Sequence, residues 1–365
     1  MKVKVARAEL LRGIATVQNV VSGKATLPAL SNVLLNAEEE SITFSATDLK
    51  VTIECSVKAE IDEKGLASVP AGHLASVVRE MPDQEISIEK GANDVLSLCC
   101  GTIQFRLLGM AANEFPRTPE CKAVTNVVLK QEDLGDILER TAFSVGTDQS
   151  RYILTGLLLE LNKGLLRSIA TDGRRLSFGQ TVMECDKKAT FRVVVPEKTI
   201  REVQRLVTGE GEIEILVGEA QVVFVMSGTR LTSTLIEGDF PDYNRVIPKR
   251  HNKQLVVRTT EFAAAVRRAA AVTSKKYHSI KLKMLPGLMV FGSVTPEIGE
   301  ETEELAVDYD GDEMEVAFNP DYLLQALGAI RTDETVIEVR DQESAGVLRP
   351  QGSEDYAYVV MPIRI

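Results

Sequence analysis

The feature that most constrains this chain is a period of about 125 residues. Ala46-Thr47-Asp48 returns as Ala170-Thr171-Asp172, 124 positions later. Three strand-to-helix junctions share one spacing pattern: Val5-x4-Leu10, Leu129-x4-Leu134 and Val257-x4-Phe262. A second set of helix starts carries proline: Val69-Pro70, Val195-Pro196 and Asn319-Pro320. Four residues after each proline stands Leu74, Ile200 or Leu324, so these helices match in register as well. Glu114-Phe115-Pro116 is answered by Asp239-Phe240-Pro241. Landmarks that agree on one period predict tandem copies of one structural unit. The expected boundaries are 1–121, 122–247 and 248–365 of the 365 residues.

Within a copy the order reads strand, helix, three strands, then strand, helix, three strands. In the first copy the expected strands are Val3–Val5, Asn32–Ala37, Ser41–Ala46, Val51–Val57, Leu66–Val69, Glu85–Lys90, Val95–Cys100 and Ile103–Leu108. The expected helices are Ala8–Val21 and Ala71–Met81. Short alternating strands between helical runs of about 12–15 residues predict an α+β fold, with helices on one face of antiparallel sheet. Proline suits the first helical turn, where its missing N–H has no partner in any case. The connectors Arg117-Thr118-Pro119-Glu120 and Ile247-Pro248-Lys249-Arg250 mark breaks between copies. Asp172-Gly173 between two alternating runs reads as a hairpin turn.

The net charge of −11, with an isoelectric point near 5.1, argues against a protein that grips nucleic acid over its whole surface. The basic residues are nevertheless placed. On the helix after Pro196, Lys198, Arg201 and Arg205 fall on one stripe, with Glu202 expected beside it and Ile200, Val203 and Val207 opposite. Asp136 and Arg140 are spaced to pair on the helix after Leu129. No apolar run approaches the roughly 18–20 residues of a membrane span, and Met1–Val5 alternates like a strand rather than a signal peptide. Five cysteines without a C-x-x-C pair read as small buried hydrophobes in a reducing compartment, the cytoplasm.

Catalytic constellations are missing from the sequence. Gly23-Lys24-Ala25 lacks the hydroxyl residue and upstream glycine of a phosphate loop, and His73, His251 and His278 have no ligand spacing around them. No cofactor or metal is expected. Asp48 and Asp172 could be read as the carboxylates of a DNA-processing enzyme, but their repetition at one place favours turn formation. A protein-only adaptor built of repeats is the other alternative.

The combination of segments is more specific than any one of them. Thr26-Leu27-Pro28-Ala29-Leu30, Arg151-Tyr152-Ile153-Leu154-Thr155-Gly156, Ala170–Leu176, Gly238–Tyr243 and Tyr358–Ile365 together resemble the bacterial sliding-clamp family, the β subunits of DNA polymerase III, over the full length. The resemblance implies a non-catalytic processivity factor: two chains closed head to tail into a six-domain ring around double-stranded DNA. Twelve helices at about 9–10 Å spacing leave an opening of roughly 25 Å, whereas six leave only about 8–10 Å, so one chain cannot encircle a duplex and two can.

Carried over residue by residue, the resemblance makes Lys24, Gln149, Arg151 and Tyr152 DNA-contacting, beside the helical stripe of Lys198, Arg201 and Arg205. It makes Phe105 and Leu107, with Ala271 and Val272, the two sides of a homodimer seam. It also implies a cleft for short peptide motifs of the replicative polymerase, the clamp loader and repair proteins. That cleft comprises Leu154, Thr171, Gly173, Arg174, Arg175, Leu176, Pro241, Val246, Val359, Val360, Met361, Pro362 and Arg364. Both arginines after the Asp172 turn are expected to face these partners.

Overall fold

The computed structural model describes residues 1–21, 27–118, 120–186, 188–247, 254–276 and 278–364. Among them are the α-helices α1 (Arg7–Val17), α2 (Ala71–Glu80), α3 (Gln131–Glu139), α4 (Glu197–Leu206), α5 (Thr259–Ala270) and α6 (Pro320–Ala329). All strand pairings between named strands are antiparallel, as the alternating sequence requires. None of the described helices is long and apolar enough to cross a membrane.

The chain forms two compact units. The first, residues 1–132 with 205–235, holds a five-stranded and an eight-stranded sheet. The five-stranded sheet runs Glu60–Glu63, Lys2–Ala6, Glu85–Lys90, Val95–Cys100, Ile103–Leu108. The eight-stranded sheet runs Thr125–Lys130, Glu212–Val217, Gln221–Met226, Thr229–Thr234, Val51–Lys58, Ser41–Thr47, Asn32–Glu38, Gly65–Pro70. Its two halves meet where Leu231 stands opposite Ile53, both fully buried.

The second unit, residues 133–204 with 236–365, repeats that plan. Its eight-stranded sheet runs Phe191–Pro196, Gly156–Asn162, Leu165–Thr171, Arg175–Val182, Tyr356–Val360, Gly346–Pro350, Glu334–Glu338, Gln254–Arg258. A four-stranded sheet follows in the order Gly299–Ala306, Leu288–Thr295, Ile280–Leu285, Met314–Phe318. Alternation divides the strand Tyr356–Val360 between two cores. Tyr356, Tyr358 and Val360 belong to the core of α5, where Phe262 packs on Phe291 with ring centres 5.8 Å apart. Ala357 and Val359 belong instead to a core with Leu154, Leu176, Phe240 and Tyr243.

Most expected elements lie where the sequence places them, with three differences. The strand Glu60–Glu63 is additional; it is a short acidic edge strand with no apolar alternation to announce it. The first helix ends at Val17 and continues as a 3₁₀ turn, Gln18–Val20, short of the expected Val21. Pro70 and Pro196 close the preceding strands just before their helices, and only Pro320 occupies the first helical position. The cysteines are also less buried than expected. All five are free, with Cys55 and Cys100 buried and Cys99, Cys121 and Cys185 partly exposed.

The repeated Ala-Thr-Asp is one turn built twice. Asp48 Oδ1 accepts from the amides of Lys50 (2.9 Å) and Val51 (2.7 Å), and Asp172 Oδ1 accepts from those of Arg174 (2.8 Å) and Arg175 (3.1 Å). Thr47 and Thr171 each take the amide two residues on, both at 3.0 Å. The residue after each aspartate is left-handed, with φ of 75° at Leu49 and 87° at Gly173. A side chain costs about 1–2 kcal/mol in that region, and Leu49, 57% exposed, recovers little of it by burial. Replacing Leu49 with glycine is therefore expected to raise stability by about 0.5–1 kcal/mol, after the glycine entropy cost, read as a higher midpoint of thermal unfolding.

Candidate functional site

The second copy of the turn supports a cleft of about 250 Å³ lined by Gly146, Thr147, Asp148, Arg151, Leu154, Asp172, Arg174 and Tyr322. Three local structures set its walls. The Asp172 turn is one. The second is the 3₁₀ run Gln149–Thr155, capped by Asp148, whose carboxylate takes the Ser150 amide (2.9 Å) and hydroxyl (2.7 Å). Those two donors, with Arg151, hold the Asp148 carboxyl below its usual range. The third wall is the start of α6, where Asn319 caps the amide of Asp321 (2.9 Å) and Tyr322 turns its ring to the cleft. Tyr322, Gly146, Thr147 and Asp148 were not among the expected cleft residues. The Asx-cap spacing of Asp148 and the first-turn aromatic after Asn319-Pro320 were the available signals.

Behind the cleft lies an apolar core, which Leu154 links to the lining. Leu154 and Leu176 are buried in one group with Val359, Phe240 and Tyr243. Pro241 and Val246, both exposed, flank the short turn that holds Tyr243 in that group. The C-terminal segment is tied alongside, since the Met361 amide donates to the Arg174 carbonyl at 2.9 Å. Met361 is then 45% exposed, Pro362 half-buried and Arg364 exposed. Thr171 is buried by the turn it closes.

Two of the expected cleft residues are placed differently. The Val360 side chain lies in the α5 core, because neighbours on a strand point to opposite faces. Arg175 points inward with only 9% of its side chain exposed. Its Nε donates to Asp172 Oδ2 (3.0 Å), and Nη2 to the Phe143 carbonyl (2.6 Å). Nη1 contacts the Tyr358 hydroxyl (3.3 Å) and Gln325 Oε1. The guanidinium lies over the Tyr322 ring, 4.4 Å from its centre. Of the two arginines after the turn, Arg174 alone is exposed.

The basic stripe on α4 is present: Lys198, Arg201 and Arg205 are exposed while Ile200 and Val203 are fully buried. Arg201 pairs with Glu197 (2.6 Å), and Arg205 Nη2 donates to the Thr16 carbonyl at the end of α1 (2.6 Å). Glu202, expected beside the stripe, is buried. Gln149, Arg151 and Tyr152 are exposed together on the 3₁₀ run. Asp136 and Arg140 pair as expected (2.9 Å), and Arg331 joins Asp136 at 2.9 Å. Lys24 lies outside the described residues, as do Thr26, Pro119, Pro248, Lys249, Arg250, His251 and Ile365.

Phe105 and Leu107 are half-buried on Ile103–Leu108, an open edge of the five-stranded sheet whose last residue, Leu108, is 78% exposed. Ala271 is exposed and Val272 half-buried just beyond α5. Beside α5 runs the open edge Gly299–Ala306, joined to it by Arg268 and Glu303 (2.6 Å). Both carboxylate oxygens of Glu301 on that edge are buried without a partner among the described residues. Burial, then the nearby Glu303, pushes its carboxyl above the usual range. Asp48 and Asp172 are each engaged by backbone amides of their own turn. Among the described residues no three His, Cys, Asp or Glu side chains are grouped to hold a metal.

The arrangement matches known proteins from end to end. Residues 1–119, 128–242 and 244–364 match, in turn, the N-terminal, central and C-terminal domains described as DNA polymerase III beta subunit. A beta sliding clamp of Pseudomonas putida is 34% identical over 367 residues, covering 100% of both chains. The chain belongs to the beta sliding clamp family. The family is a non-catalytic subunit of the polymerase. Solved structures agree: the DNA polymerase III subunit beta from Pseudomonas aeruginosa superposes with a TM-score of 0.97 at 35% identity over 100% of both chains. A sliding clamp of the same organism, bound to griselimycin, gives the same TM-score, identity and coverage.

Within this clamp chain the Tyr358 hydroxyl carries a pH signature. Burial raises its pKa to about 12, although Arg175 pulls the other way. The folded state thus holds the phenolic proton more tightly than the unfolded chain, whose tyrosine titrates near 10. This contribution is complete below pH 10 and is lost as pH rises through about 12. The stability of the wild type is expected to fall between pH 10 and 12 by about 2–3 kcal/mol more than that of Tyr358→Phe, measured by denaturant unfolding at each pH.

Proposed function

We propose that this chain is a processivity factor: two copies close head to tail around double-stranded DNA and tether the replicative polymerase, the clamp loader and repair proteins. Full-length membership of the beta sliding clamp family carries the reading. Three repeats, with boundaries near 121 and 247, supply the six α-helices of the described residues, twelve for two chains, enough to surround a duplex. Two features support the seam between chains. The open edge Ile103–Leu108 presents exposed apolar residues and Arg106, and the open edge Gly299–Ala306 presents Glu300 and Glu304. Unpaired edges of opposite charge are suited to join in a heterologous contact. Buried Glu301, unpartnered among the described residues, gains a reason at such a seam.

A ring that holds DNA topologically has no need of a strongly basic surface. The α4 stripe of Lys198, Arg201 and Arg205 and the turn carrying Gln149, Arg151 and Tyr152 provide phosphate contacts that position without reading bases. The test is retention. Clamp loaded on nicked circular DNA is expected to stay bound through a salt wash and to be lost when the circle is cut, with a dimer mass in solution at micromolar concentration. Equal loss from circular and linear DNA, or nuclease activity that vanishes in Asp172→Ala, would overturn the reading.

The partner cleft is the surface lined by Leu154, Arg174 and Tyr322, backed by buried Leu176 and Val359 and flanked by exposed Met361. Its aliphatic backing and adaptable methionine suit short hydrophobic anchors from several partners. Griselimycin, which a related clamp binds, is the available probe. Met361→Ala is expected to weaken griselimycin binding about tenfold, in line with about 1–2 kcal/mol for a truncated contact residue, while leaving the unfolding midpoint unchanged. An unchanged affinity would remove Met361 from the site.

A further inference from the structure

Two of the three cleft walls, and two segments behind them, are touched by one side chain. Arg175 holds the Asp172 turn through Nε (3.0 Å) and the segment leading to Gly146 through the Phe143 carbonyl (2.6 Å). It holds α6 through the face of Tyr322 (4.4 Å to the ring centre) and through Gln325, and the C-terminal strand through the Tyr358 hydroxyl (3.3 Å). Its own side chain is nearly buried and is not among the residues that line the cleft.

Stability alone does not explain a guanidinium there. The same place in the first copy of the turn is held by Val51, whose amide donates to its aspartate in the same way and which is 1% exposed. An apolar residue therefore satisfies this backbone. Burying a charge in its stead is usually neutral or unfavourable compared with hydrophobic packing. What the guanidinium adds over valine is a planar fork with several donors at fixed angles, together with a face that stacks on an aromatic ring. Those are the properties needed to fix separate elements relative to one another.

Resting on the reading of the cleft given above, we infer that Arg175 is a positioning residue of the partner cleft: it does not contact the bound peptide but sets the distance between the Asp172 turn and the Tyr322 wall. Tyr358 is then part of the same device. Its hydroxyl is one of the anchors of Arg175, and its side chain, fully buried, is out of reach of any ligand in the cleft.

The experiment measures griselimycin affinity by titration for the wild type, Tyr358→Phe, Arg175→Lys, Arg175→Met and the double variant Arg175→Met/Tyr358→Phe. Thermal unfolding and near-UV circular dichroism report whether each is folded. A positioning role predicts that Tyr358→Phe loses about threefold and Arg175→Met tenfold or more. It also predicts that lysine, with the charge but not the fork, recovers only part of the loss, and that the double variant is no weaker than Arg175→Met. If Arg175→Met does not fold, the wild type, Tyr358→Phe and Arg175→Lys decide the matter. Tyr358→Phe equal to the wild type, or full rescue by lysine, overturns the positioning role. A wild type that does not bind griselimycin removes the cleft itself, which is a different result.

Discussion

The second unit depends on one strand pairing, that of Arg175–Gly179 with Tyr356–Val360. These strands are almost two hundred residues apart in sequence, and their antiparallel register joins the half-sheet of one repeat to that of the next. The register decides which side chains meet. Leu176 stands opposite Val359, and both fall in the apolar group under the cleft. Ser177 stands opposite Tyr358, and both turn to the other face, where Ser177 bonds Ser144 at 2.5 Å. A slip of one residue would exchange the two cores. The first unit uses the same device, with Val51–Cys55 against Thr229–Ser233. Completing the sheet of one repeat with strands from another makes the repeats cooperate where tandem domains would otherwise be strung on linkers.

Elements governed by local rules were legible in the sequence. Strands such as Glu85–Lys90 and Val95–Cys100 alternate between buried and more exposed residues, so their limits follow from the period of two. The aspartate turns were legible because Asp and Thr close such turns with their own side chains. The strand Glu60–Glu63 was not legible, since an edge strand can be held by backbone bonds alone and needs no apolar pattern. The burial of Glu202 was not legible for a different reason. The residue lies between the polar and apolar arcs of α4, and only the packing around the helix decides which of the two receives it.

The candidate site was legible in its chain segments and less so in the direction of its side chains. The resemblance brought Leu154, Thr171–Leu176 and the C-terminal residues together; in the structure Leu154, Asp172 and Arg174 line the cleft, and Leu176 and Val359 are buried in one group with Leu154. Strand parity separates Val359 from Val360, and that follows from the register, which a single sequence does not display. Tyr322 escaped notice because its importance lies in what stacks behind it.

The two copies of the turn show how a repeat acquires a local role. Asp48 and Asp172 fix the same backbone, and in both the residue three positions on is drawn inward. Inside the first copy that residue meets an apolar core, and Val51 fills it. Inside the second it meets Phe143, Tyr322, Tyr358 and the carboxylate of Asp172, an environment of rings and acceptors that only a planar cation can satisfy at several points together. The divergence therefore extends beyond one substitution, because the aromatics had to come with the arginine while the aspartate is common to both copies. A fully connected polar group of this kind rigidifies its surroundings, whereas a partly connected one weakens them. The fold supplied a turn in each repeat, and the second became an organising centre once its interior changed from hydrocarbon to a cation held by rings.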